Sequence, residues 1–316
     1  MKILVTGGAG FIGSHLTQRL LDQGHSVCCI DNFNTYYDPK IKRENCKPFL
    51  NHPNYRLYEL DIQFFDQLKP IFFKENFESV VHLAARAGVR PSIQDPDLYN
   101  RVNVIGTTNL LDLARHTGVR QFIFGSSSSV YGINSKVPFS ENDRIDRPIS
   151  QYAATKIAGE MMCHVYHNLY NIHITSLRFF TVYGPRQRPE MAIHKFAEKI
   201  YNGESIPFFG DGTSLRDYTF IDDIVSGVVS AIEKNYPYEV FNLGNSNTIS
   251  LRELVSLIEQ NLGKKANLKI MDNQLGDVPI TYADISRSKE KLGYQPKTDI
   301  KDGIRKFTEW FLSKKK

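Results

Sequence analysis

The sequence predicts a doubly wound α/β fold, in which helices cover both faces of a parallel sheet, with a smaller lobe attached. Two observations predict this class. Short apolar strands alternate with amphipathic helices through the first half of the 316-residue chain, and such alternation is typical of a parallel sheet. After Phe180 the alternation loosens and prolines and glycines accumulate, which indicates that a differently built lobe begins there.

The individual elements follow from hydrophobic periodicity and from the residues that end each run. The first helix carries Ile12, Leu16, Leu20 and Leu21 on one face and is expected to end at Gly24. Five further strands are predicted at 26–30, 55–60, 79–83, 121–124 and 174–179, after a first strand at 3–5. Further helices are predicted at 97–116, 151–170, 250–262 and 301–313.

Composition and charge exclude several classes of protein. The net charge of +5 is modest and dispersed, so it suits an anionic small molecule better than a nucleic acid. The four cysteines have neither disulfide-framework nor metal-ligand spacing, which is typical of a reducing compartment. No segment is apolar enough for a membrane span or a signal peptide. We therefore expect a cytoplasmic protein with no metal site and no nucleic-acid or membrane partner.

A glycine-rich turn predicts a dinucleotide site. Gly7, Gly10 and Gly13 join the first strand to the first helix, where backbone amides and the helix dipole favour a pyrophosphate. Asp31 ends the second strand, at the place where an acid binds the adenosine ribose in Rossmann folds. A carboxylate there accepts hydrogen bonds from the ribose hydroxyls and repels a 2′-phosphate. The pattern therefore favours NAD over NADP.

A tyrosine, a lysine and a serine run predict the chemistry. Tyr152 and Lys156 lie one helical turn apart, and the serines at 126–129 precede them. A free phenol has a pKa of about 10, and a cation held nearby favours the phenolate. With a hydroxyl to share the proton, this set is suited to oxidising an alcohol. A chance match of two surface residues is the alternative for the pair alone, and the dinucleotide site upstream argues against it.

The motifs together resemble a known family. The glycine turn at 6–13, the serines before Val130-Tyr131-Gly132, the Tyr152/Lys156 pair and the segment 178–185 resemble the extended short-chain dehydrogenase/reductase family. More narrowly, they are similar to its nucleotide-sugar 4-epimerases, and most of all to UDP-glucuronate 4-epimerases. The resemblance spans nearly the whole chain. It implies bound NAD, a UDP-sugar substrate, and a homodimer formed through the helices at 97–116 and 151–170.

The resemblance also implies roles for individual residues. Tyr152 is the expected acid/base, Lys156 is expected to hold the nicotinamide ribose and to lower the pKa of Tyr152, and Ser127 is expected to share the hydrogen bond to the reacting hydroxyl. The implied cofactor contacts are Gly7, Gly10, Phe11, Ile12, Gly13, Asp31, Asn32, Asn34, Asp61, Ile62, Ala84, Asn103, Tyr152 and Lys156. The implied substrate contacts are Arg86, Ser128, Ser129, Thr181, Arg186, Arg188, Phe209, Arg216 and Asp277.

Within the second lobe, three residues match substrate contacts of the family. Phe209 matches a uracil contact, Asp277 matches a group near the uridine ribose, and Arg216 matches a diphosphate-binding arginine, whose planar fork suits that ligand. Gln274 stands where relatives often have a second arginine. The diphosphate is therefore expected to need another cation, such as Arg186 or Arg188.

Two further departures from the family pattern lie near the expected sugar site. Thr181 stands where many relatives have asparagine, a change associated with the uronate-acting branch, and Arg86 replaces a more usual glutamine.

The expected domain division follows from the same evidence. A strand-like segment at 239–243 is expected to return to the main sheet, so the second lobe is discontinuous in sequence. We predict a Rossmann NAD-binding domain from residues 1–179 and 217–244. Residues 180–216 and 245–316 are predicted to form the smaller α/β UDP-sugar-binding lobe.

The serines before Val130 bear on how the reaction ends. In the family, dehydratases have an aspartate and a glutamate there and decarboxylases keep a glutamate, whereas this chain has Ser128 and Ser129. Simple epimerisation at C4 is therefore the expected outcome, on UDP-glucuronate and UDP-galacturonate. Hydroxyls at 127–129 and Thr181 are then expected to hold the carboxylate near the ketone plane, which prevents loss of CO₂.

Other interpretations remain open from the sequence. Ser128 and Ser129 alternatively only bond to backbone at a strand end. The substrate alternatively is UDP-glucose/galactose or a UDP-N-acetylhexosamine. A UDP-glucuronate decarboxylase and a non-catalytic NAD sensor are the less favoured alternatives, since the chain lacks the extra acid and keeps Ser127, Tyr152 and Lys156.

Overall fold

The computed structural model describes residues 1–272 and 278–315. Asp277 and Gln274, which carried sequence predictions, lie outside the described residues.

Strands and α-helices alternate through most of the described chain. The strands are β1 (Lys2–Thr6), β2 (Ser26–Asp31), β3 (Tyr55–Glu59), β4 (Ser79–His82), β5 (Gln121–Ser127), β6 (His173–Phe179), β7 (Thr181–Tyr183), β8 (Ser205–Phe209), β9 (Leu215–Phe220), β10 (Tyr238–Leu243), β11 (Thr248–Ser250), β12 (Asn267–Met271) and β13 (Ile280–Thr281). The helices are α1 (Phe11–Asp22), α2 (Pro39–Cys46), α3 (Phe65–Glu75), α4 (Val89–Gln94), α5 (Pro96–Tyr99), α6 (Gly106–Thr117), α7 (Gln151–Tyr170), α8 (Ala192–Tyr201), α9 (Ile221–Lys234), α10 (Leu251–Leu262) and α11 (Ile300–Ser313).

The main sheet has seven parallel strands in the described residues, in the order β3-β2-β1-β4-β5-β6-β10. Strand order reverses between β1 and β4, so a ligand crevice is expected at the carboxyl ends of these strands. The predicted doubly wound fold is confirmed. The predicted return of the segment at 239–243 is also confirmed, because β10 pairs with β6.

Successive side chains of the strands enter separate hydrophobic clusters on the two faces of the sheet. Ile3 and Val5 of β1 join one cluster with α1 and α9, while Leu4 joins the other with α3 and α6. This is the alternation expected of a strand covered on both faces. The sheet is therefore packed on both faces and positions the residues at its carboxyl edge.

The smaller lobe is organised around β9. This strand pairs in parallel with β7 and β13 and antiparallel with β11, and β8 pairs in parallel with β12. The predicted domain boundary at residue 217 falls inside β9. The division into two domains with those boundaries stays a prediction.

Several helices were not predicted. The pattern after Phe180 was expected to be loose, yet α8 and α9 lie there, and α9 packs against α1, β5 and β6. Most residues of α9 are buried, and its exposed residues Asp222, Ser226 and Glu233 form a narrow polar stripe at helical spacing. The segments of α2 and α3 were also missed, and Pro70 lies inside α3.

The predicted helix at 97–116 contains an irregularity. A π-helical turn, Asn100–Ile105, joins α5 to α6. Ile105, an apolar residue of this turn, is 49% exposed, because a π turn holds more residues than an α turn and rotates the face that it presents. Within the described ranges, no helix is both long and apolar enough to cross a membrane.

Candidate active site

A cavity of about 440 Å³ lies at the carboxyl edge of the sheet. It brings most of the predicted site residues together, although they come from distant parts of the chain. The predicted residues on its wall are Gly7, Gly10, Phe11, Ile12, Gly13, Asp31, Asn32, Asn34, Asp61, Ile62, Ala84, Arg86, Ser127, Ser128, Ser129, Tyr152, Lys156, Thr181 and Arg188.

Four predicted and described site residues do not line this cavity: Asn103, Arg186, Phe209 and Arg216. Arg186 lies near His15 and Cys46, and desolvation lowers its pKa. Desolvation, helped by the Arg186 charge, also lowers the pKa of His15 to about 4. The structure thus places Arg186 behind the glycine turn, and its expected contact with a diphosphate stays a prediction.

The glycine turn leaves a helix end open to an anion. Gly7 has φ +69°, and a Cβ there would lie 2.8 Å from the amide nitrogen of Ala84. A Cβ at Gly13 would lie 2.2 Å from the carbonyl oxygen of Gly7, so both positions require glycine. Among the described residues no side chain caps α1, and its first turn has no acid. Its free amides therefore fit a pyrophosphate.

Asp31 lies where a ribose-binding carboxylate is expected. Its Oδ1 accepts hydrogen bonds from the backbone amide of Phe33 (2.9 Å) and from the ammonium of Lys42 (3.3 Å). Among the described residues, Oδ2 has no hydrogen-bond partner and can receive a ribose hydroxyl. Lys42 was missed because α2 was not predicted. Its charge lessens the repulsion of a 2′-phosphate, so the preference for NAD is weaker than Asp31 alone suggests.

A short segment after Asp31 runs along the cavity. The carboxylate of Asp61 accepts from the amide of Asn32 (2.7 Å), and the Asn32 Oδ1 accepts from the Asn34 side chain (2.7 Å). Asn34 Oδ1 in turn accepts from the backbone amide of Tyr36 (3.1 Å). Such side-chain bonds to nearby backbone fix a turn without regular structure. The segment therefore holds Tyr36 on the cavity wall.

Tyr36 was not predicted as a site residue. Its hydroxyl donates to the carbonyl oxygen of Ala87 (2.8 Å), which ties the segment to the loop after β4. A signal was available, because Asp38-Pro39 is a typical helix start, and Asp38 indeed caps α2. That start would have placed Tyr36 in an ordered turn directly before a helix.

The catalytic candidates come from β5 and α7. Ser127 ends β5, and Tyr152 and Lys156 lie in the first two turns of α7, which the Ser150 hydroxyl caps. The Lys156 ammonium donates to the carbonyl oxygen of Gly125 (2.6 Å) and lies 6.0 Å from the centre of the Tyr152 ring. The predicted juxtaposition of Ser127, Tyr152 and Lys156 is therefore present in the structure.

The electrostatics of this group differ from expectation. Desolvation raises the pKa of Tyr152, while the Ser127 hydroxyl and the Arg188 charge lower it. Lys156, which we expected to lower it, is not among the groups that shift this pKa in the structure, and its expected effect stays a prediction. Desolvation also lowers the pKa of Lys156 to about 8, against the raising effects of Cys163 and Glu160. The net rise in the pKa of Tyr152 favours the protonated phenol.

Asn103 acts behind the wall of the cavity. It lies in the π-helical turn, and its Oδ1 accepts from the backbone amide of Arg86 (2.8 Å). Its Nδ2 donates to the Arg86 carbonyl (3.0 Å) and to the hydroxyl of Thr155 (3.0 Å). That hydroxyl donates to the carbonyl of Tyr152 (2.8 Å). Asn103 thus joins the loop after β4 to the start of α7, and π turns are frequent at such sites.

The serines divide into two groups. Ser126 donates to the carboxylate of Glu160 (2.5 Å) behind the sheet edge. Ser127 donates to the Ser129 hydroxyl (3.2 Å) and accepts from the Ser129 amide (3.2 Å), and a 3₁₀ turn at Ser128–Tyr131 follows. Ser127, Ser128 and Ser129 all line the cavity, so they present hydroxyls beside Tyr152.

Carboxylates are confined to another part of the cavity. Among the described residues, those that line it are Asp31 and Asp61. Asp31 ends β2 and Asp61 follows β3, on the half of the sheet away from Ser127. The described wall around Tyr152 therefore has hydroxyls and arginines and no carboxylic acid.

An open helix end at a glycine turn, followed by a serine, a tyrosine and a lysine around one cavity, defines a short-chain dehydrogenase/reductase type of site. The chain belongs to the NAD dependent epimerase/dehydratase family, whose model matches residues 3–244. The predicted family, the fold class and the dependence on NAD are confirmed.

Three known proteins are similar to this chain over nearly its whole length. The chain is 41% identical over 308 residues to a UDP-glucuronate 4-epimerase of Thermodesulfobacterium geofontis, covering 97% of this chain and 95% of the relative. It is similar to the UDP-glucuronic acid 4-epimerase of Bacillus cereus, crystallised with UDP-glucuronic acid and NAD, with a TM-score of 0.94, 38% identity and 99% of each chain covered. It is also similar to the UDP-glucose 4-epimerase of Thermotoga maritima with UDP-glucose, with a TM-score of 0.92, 36% identity and 100% of each chain covered.

Proposed function

We propose that the protein interconverts UDP-glucuronate and UDP-galacturonate with a permanently bound NAD. The observation that carries the proposal is the described wall around Tyr152, where Ser127, Ser128, Ser129 and Thr181 present hydroxyls and no carboxylic acid lies among them. Such a wall lacks the acid that an elimination needs. The relatives named as UDP-glucuronate 4-epimerases support the same substrate.

Residues of the chain would hold the cofactor along the cavity. The amides at the start of α1 would receive the pyrophosphate, Asp31 would receive the adenosine ribose, and Lys156 would receive the nicotinamide ribose. When bound, NAD supplies the two-electron oxidation of C4 and its reversal. Because the cofactor is regenerated in each turnover, no further redox partner is needed.

Tyr152 moves the proton in both directions. Its phenolate accepts the proton of the C4 hydroxyl as C4 is oxidised, and its phenol returns a proton when C4 is reduced on the other face. The Ser127 hydroxyl shares the hydrogen bond with the reacting oxygen. Desolvation raises the pKa of Tyr152, so positive charge from Arg188, and from Lys156 once it is placed against the cofactor ribose, is what makes the phenolate accessible.

The serines and Thr181 are proposed to hold the sugar carboxylate. The 4-keto form of a uronate is a β-keto acid, which loses CO₂ when the breaking bond can conjugate with the ketone. Hydroxyls that keep this bond near the ketone plane prevent that loss. Ser129→Glu is expected to release more CO₂ per epimerisation than Ser129→Ala, which removes the hydroxyl without adding an acid. Equal CO₂ from Ser129→Glu and the wild type would contradict this role.

Nuclear magnetic resonance of UDP-glucuronate with the enzyme tests the reaction, with no NAD added. Appearance of UDP-galacturonate is expected. UDP-pentose with CO₂ would instead show decarboxylation, and an inert substrate would overturn the proposal.

A neutral-sugar epimerase is the second candidate. The TM-score of 0.92 to the UDP-glucose 4-epimerase is nearly as high as the TM-score of 0.94 to the UDP-glucuronic acid 4-epimerase. Similarity of fold therefore supports the two candidates almost equally. Adding UDP-glucose in a parallel sample separates the two candidates. Faster formation of UDP-galactose than of UDP-galacturonate would favour the neutral substrate.

The nucleotide part of the substrate is proposed to lie against the smaller lobe. Phe209 would contact the uracil, and its ring already stacks with the Arg90 guanidinium at 5.0 Å. Arg216 would bind the diphosphate; its guanidinium now donates to the carbonyl oxygens of Leu215 (2.9 Å) and Pro279 (3.3 Å). Asp277 would contact the uridine ribose.

We propose a homodimer formed through α6 and α7. Met161, Val165 and Leu169 are spaced four residues apart along α7 and are 50%, 48% and 66% exposed, as is Ile105 near the start of α6. Contiguous apolar surface of this kind marks an interface. Light scattering after gel filtration should give twice the chain mass for the wild type and a monomer for Val165→Glu. A monomeric wild type would overturn the dimer.

A cytoplasmic location is proposed from the cysteines. All four are free and buried, as is usual in a reducing compartment. Fractionation of the producing cells should recover the protein with the cytoplasm.

A further inference from the structure

Arg86 lies on the cavity wall and has no ion partner among the described residues. Its guanidinium lies 5.4 Å from the centre of the Tyr36 ring, and within the described residues it has neither a hydrogen bond nor an ion pair. Arg188 lies 5.6 Å from the same ring but pairs with Glu190 at 3.1 Å. The backbone of Arg86 is fixed on both sides by Asn103. A held, half-buried charge without a counter-ion is the unusual feature.

A set of contacts places this charge at the reactive end of the cavity. The hydroxyls of Tyr36 and Tyr99 both donate to the carbonyl oxygen of Ala87, at 2.8 and 2.7 Å. The Tyr99 ring meets the Tyr152 ring edge to face, with centres 6.2 Å apart. Arg86 is thus linked to Tyr152 through two tyrosines that share one acceptor. The glycine turn and Arg216 are assigned to the other anionic groups.

The Arg86 guanidinium is suited to bind an anion. A guanidinium that is partly removed from water and not neutralised costs free energy. The contact with Tyr36 recovers part of that cost and orients the planar fork. An arriving carboxylate would recover the rest, because it accepts two parallel hydrogen bonds from such a fork.

We propose that Arg86 binds the carboxylate of the sugar and makes the site prefer an acidic sugar over a neutral one. The inference rests on the proposed function, and glutamine is the substitution that tests it. Glutamine keeps a hydrogen-bonding side chain and lacks the charge. Arg86 therefore adds selectivity to a site whose hydroxyls already receive the carboxylate.

Calorimetric binding to the NAD-loaded enzyme tests the proposal with two ligands, UDP-glucuronate and UDP-glucose, which differ in the group at C6. In Arg86→Gln, affinity for UDP-glucuronate should fall by roughly tenfold or more, the size expected when a charged hydrogen bond is lost, while UDP-glucose binds as before. Arg86→Lys should lie between the two. Rising salt should reduce the preference of the wild type and leave that of Arg86→Gln unchanged.

Arg120→Gln is the matched control. Arg120 is exposed and directly precedes β5, at the opposite edge of the sheet from the cavity, so the same loss of charge there should change neither affinity. Equal loss for both ligands in Arg86→Gln would assign Arg86 to the diphosphate, and loss of bound NAD would assign it to the cofactor; either result overturns the proposal. So do unchanged affinities.

The proposed function can fail separately. If the wild type does not convert UDP-glucuronate and does not prefer it to UDP-glucose, the function itself is wrong, and the role of Arg86 falls with it. If the wild type converts UDP-glucuronate and Arg86→Gln keeps the full preference, only the role of Arg86 is wrong.

Discussion

Two buried polar clusters lie on successive turns of α7, and they are built in opposite ways. In the first turns, the Lys156 ammonium has a neutral carbonyl as its partner, and Tyr152 has the hydroxyl of Ser127. One turn later, the Glu160 carboxylate accepts two hydrogen bonds from Arg178, at 2.9 and 2.7 Å, and a third from Ser126. The first cluster keeps unneutralised charge, and the second is neutralised.

The second cluster also reaches across the sheet. Arg178 of β6 donates to the Tyr131 hydroxyl (3.0 Å), which donates to Asn242 of β10 (2.6 Å). The cluster therefore fixes α7 against β6 and the returning strand. A buried charge with all its partners stabilises the fold, whereas a buried charge without a counter-ion lies in the candidate active site.

The largest effect is expected from a substitution in the first cluster. Tyr152→Phe removes the group that accepts and returns the proton, so kcat should fall by roughly a thousandfold, while bound NAD remains. The matched control is Tyr131→Phe, a tyrosine of the second cluster, which should lower stability and leave kcat within a few-fold. Nuclear magnetic resonance of UDP-glucuronate measures kcat for both variants. A Tyr152→Phe enzyme with a tenth of the wild-type rate would remove Tyr152 from the mechanism.

Breaking the second cluster should lower the stability of the protein. Glu160→Ala leaves the Arg178 guanidinium buried and unpaired, which should lower the free energy of unfolding by about 3–5 kcal/mol. Urea denaturation of the NAD-loaded protein measures it. The double variant Glu160→Met/Arg178→Met removes both charges and should recover most of the loss. If the double variant is as unstable as Glu160→Ala, the unpaired charge is not the cause.

The same contrast shows how far the sequence could predict the site. Tyr152 and Lys156 are fixed relative to each other by one helical turn, and Gly7 to Gly13 by one strand–helix junction, so local spacing was sufficient. The pairing of Glu160 with Arg178 joins a helix to a strand 18 residues later, and no local pattern encodes it. The balance of charges on Tyr152 likewise depends on Arg188, which only the tertiary fold brings near.

The fold class was predicted correctly, and the errors concern individual elements. Strands of the parallel sheet read as short apolar runs and were found, with ends displaced by a few residues. The helix α9 was missed although Asp222, Ser226 and Glu233 form a narrow polar stripe at helical spacing, so the helical period was present in the sequence. Missing α2 then hid both Lys42 and Tyr36, which reach the cavity from that stretch of chain.

The pH dependence of stability should reveal the unneutralised Lys156 charge of the first cluster. Desolvation lowers the pKa of Lys156 from 10.5 to about 8, so the folded state releases this proton before the unfolded state does. Stability should therefore rise between pH 8 and 10.5, by up to about 3 kcal/mol for this group. Lys156→Met should lack that rise and be the more stable protein at neutral pH, although inactive.

Urea denaturation from pH 7 to 10 checks this effect. Lys195→Met, on the exposed side of α8, is the control and should keep the wild-type pH profile. A Lys156→Met protein that is less stable than the wild type at pH 7 would show that the ammonium is held by more than the Gly125 carbonyl.

The smallest effect is expected from two helix caps that have the same hydrogen-bond length. The Ser150 hydroxyl accepts from the amide of Ala153 and the Ser250 hydroxyl from that of Glu253, both at 3.1 Å. Alanine at either position should lower the free energy of unfolding by about 1 kcal/mol. Only Ser150 caps the helix that carries Tyr152 and Lys156, so only Ser150→Ala should also lower kcat, by a few-fold. Equal kcat in the two variants would mean that the packing of α7, rather than its first hydrogen bonds, sets the position of the phenol.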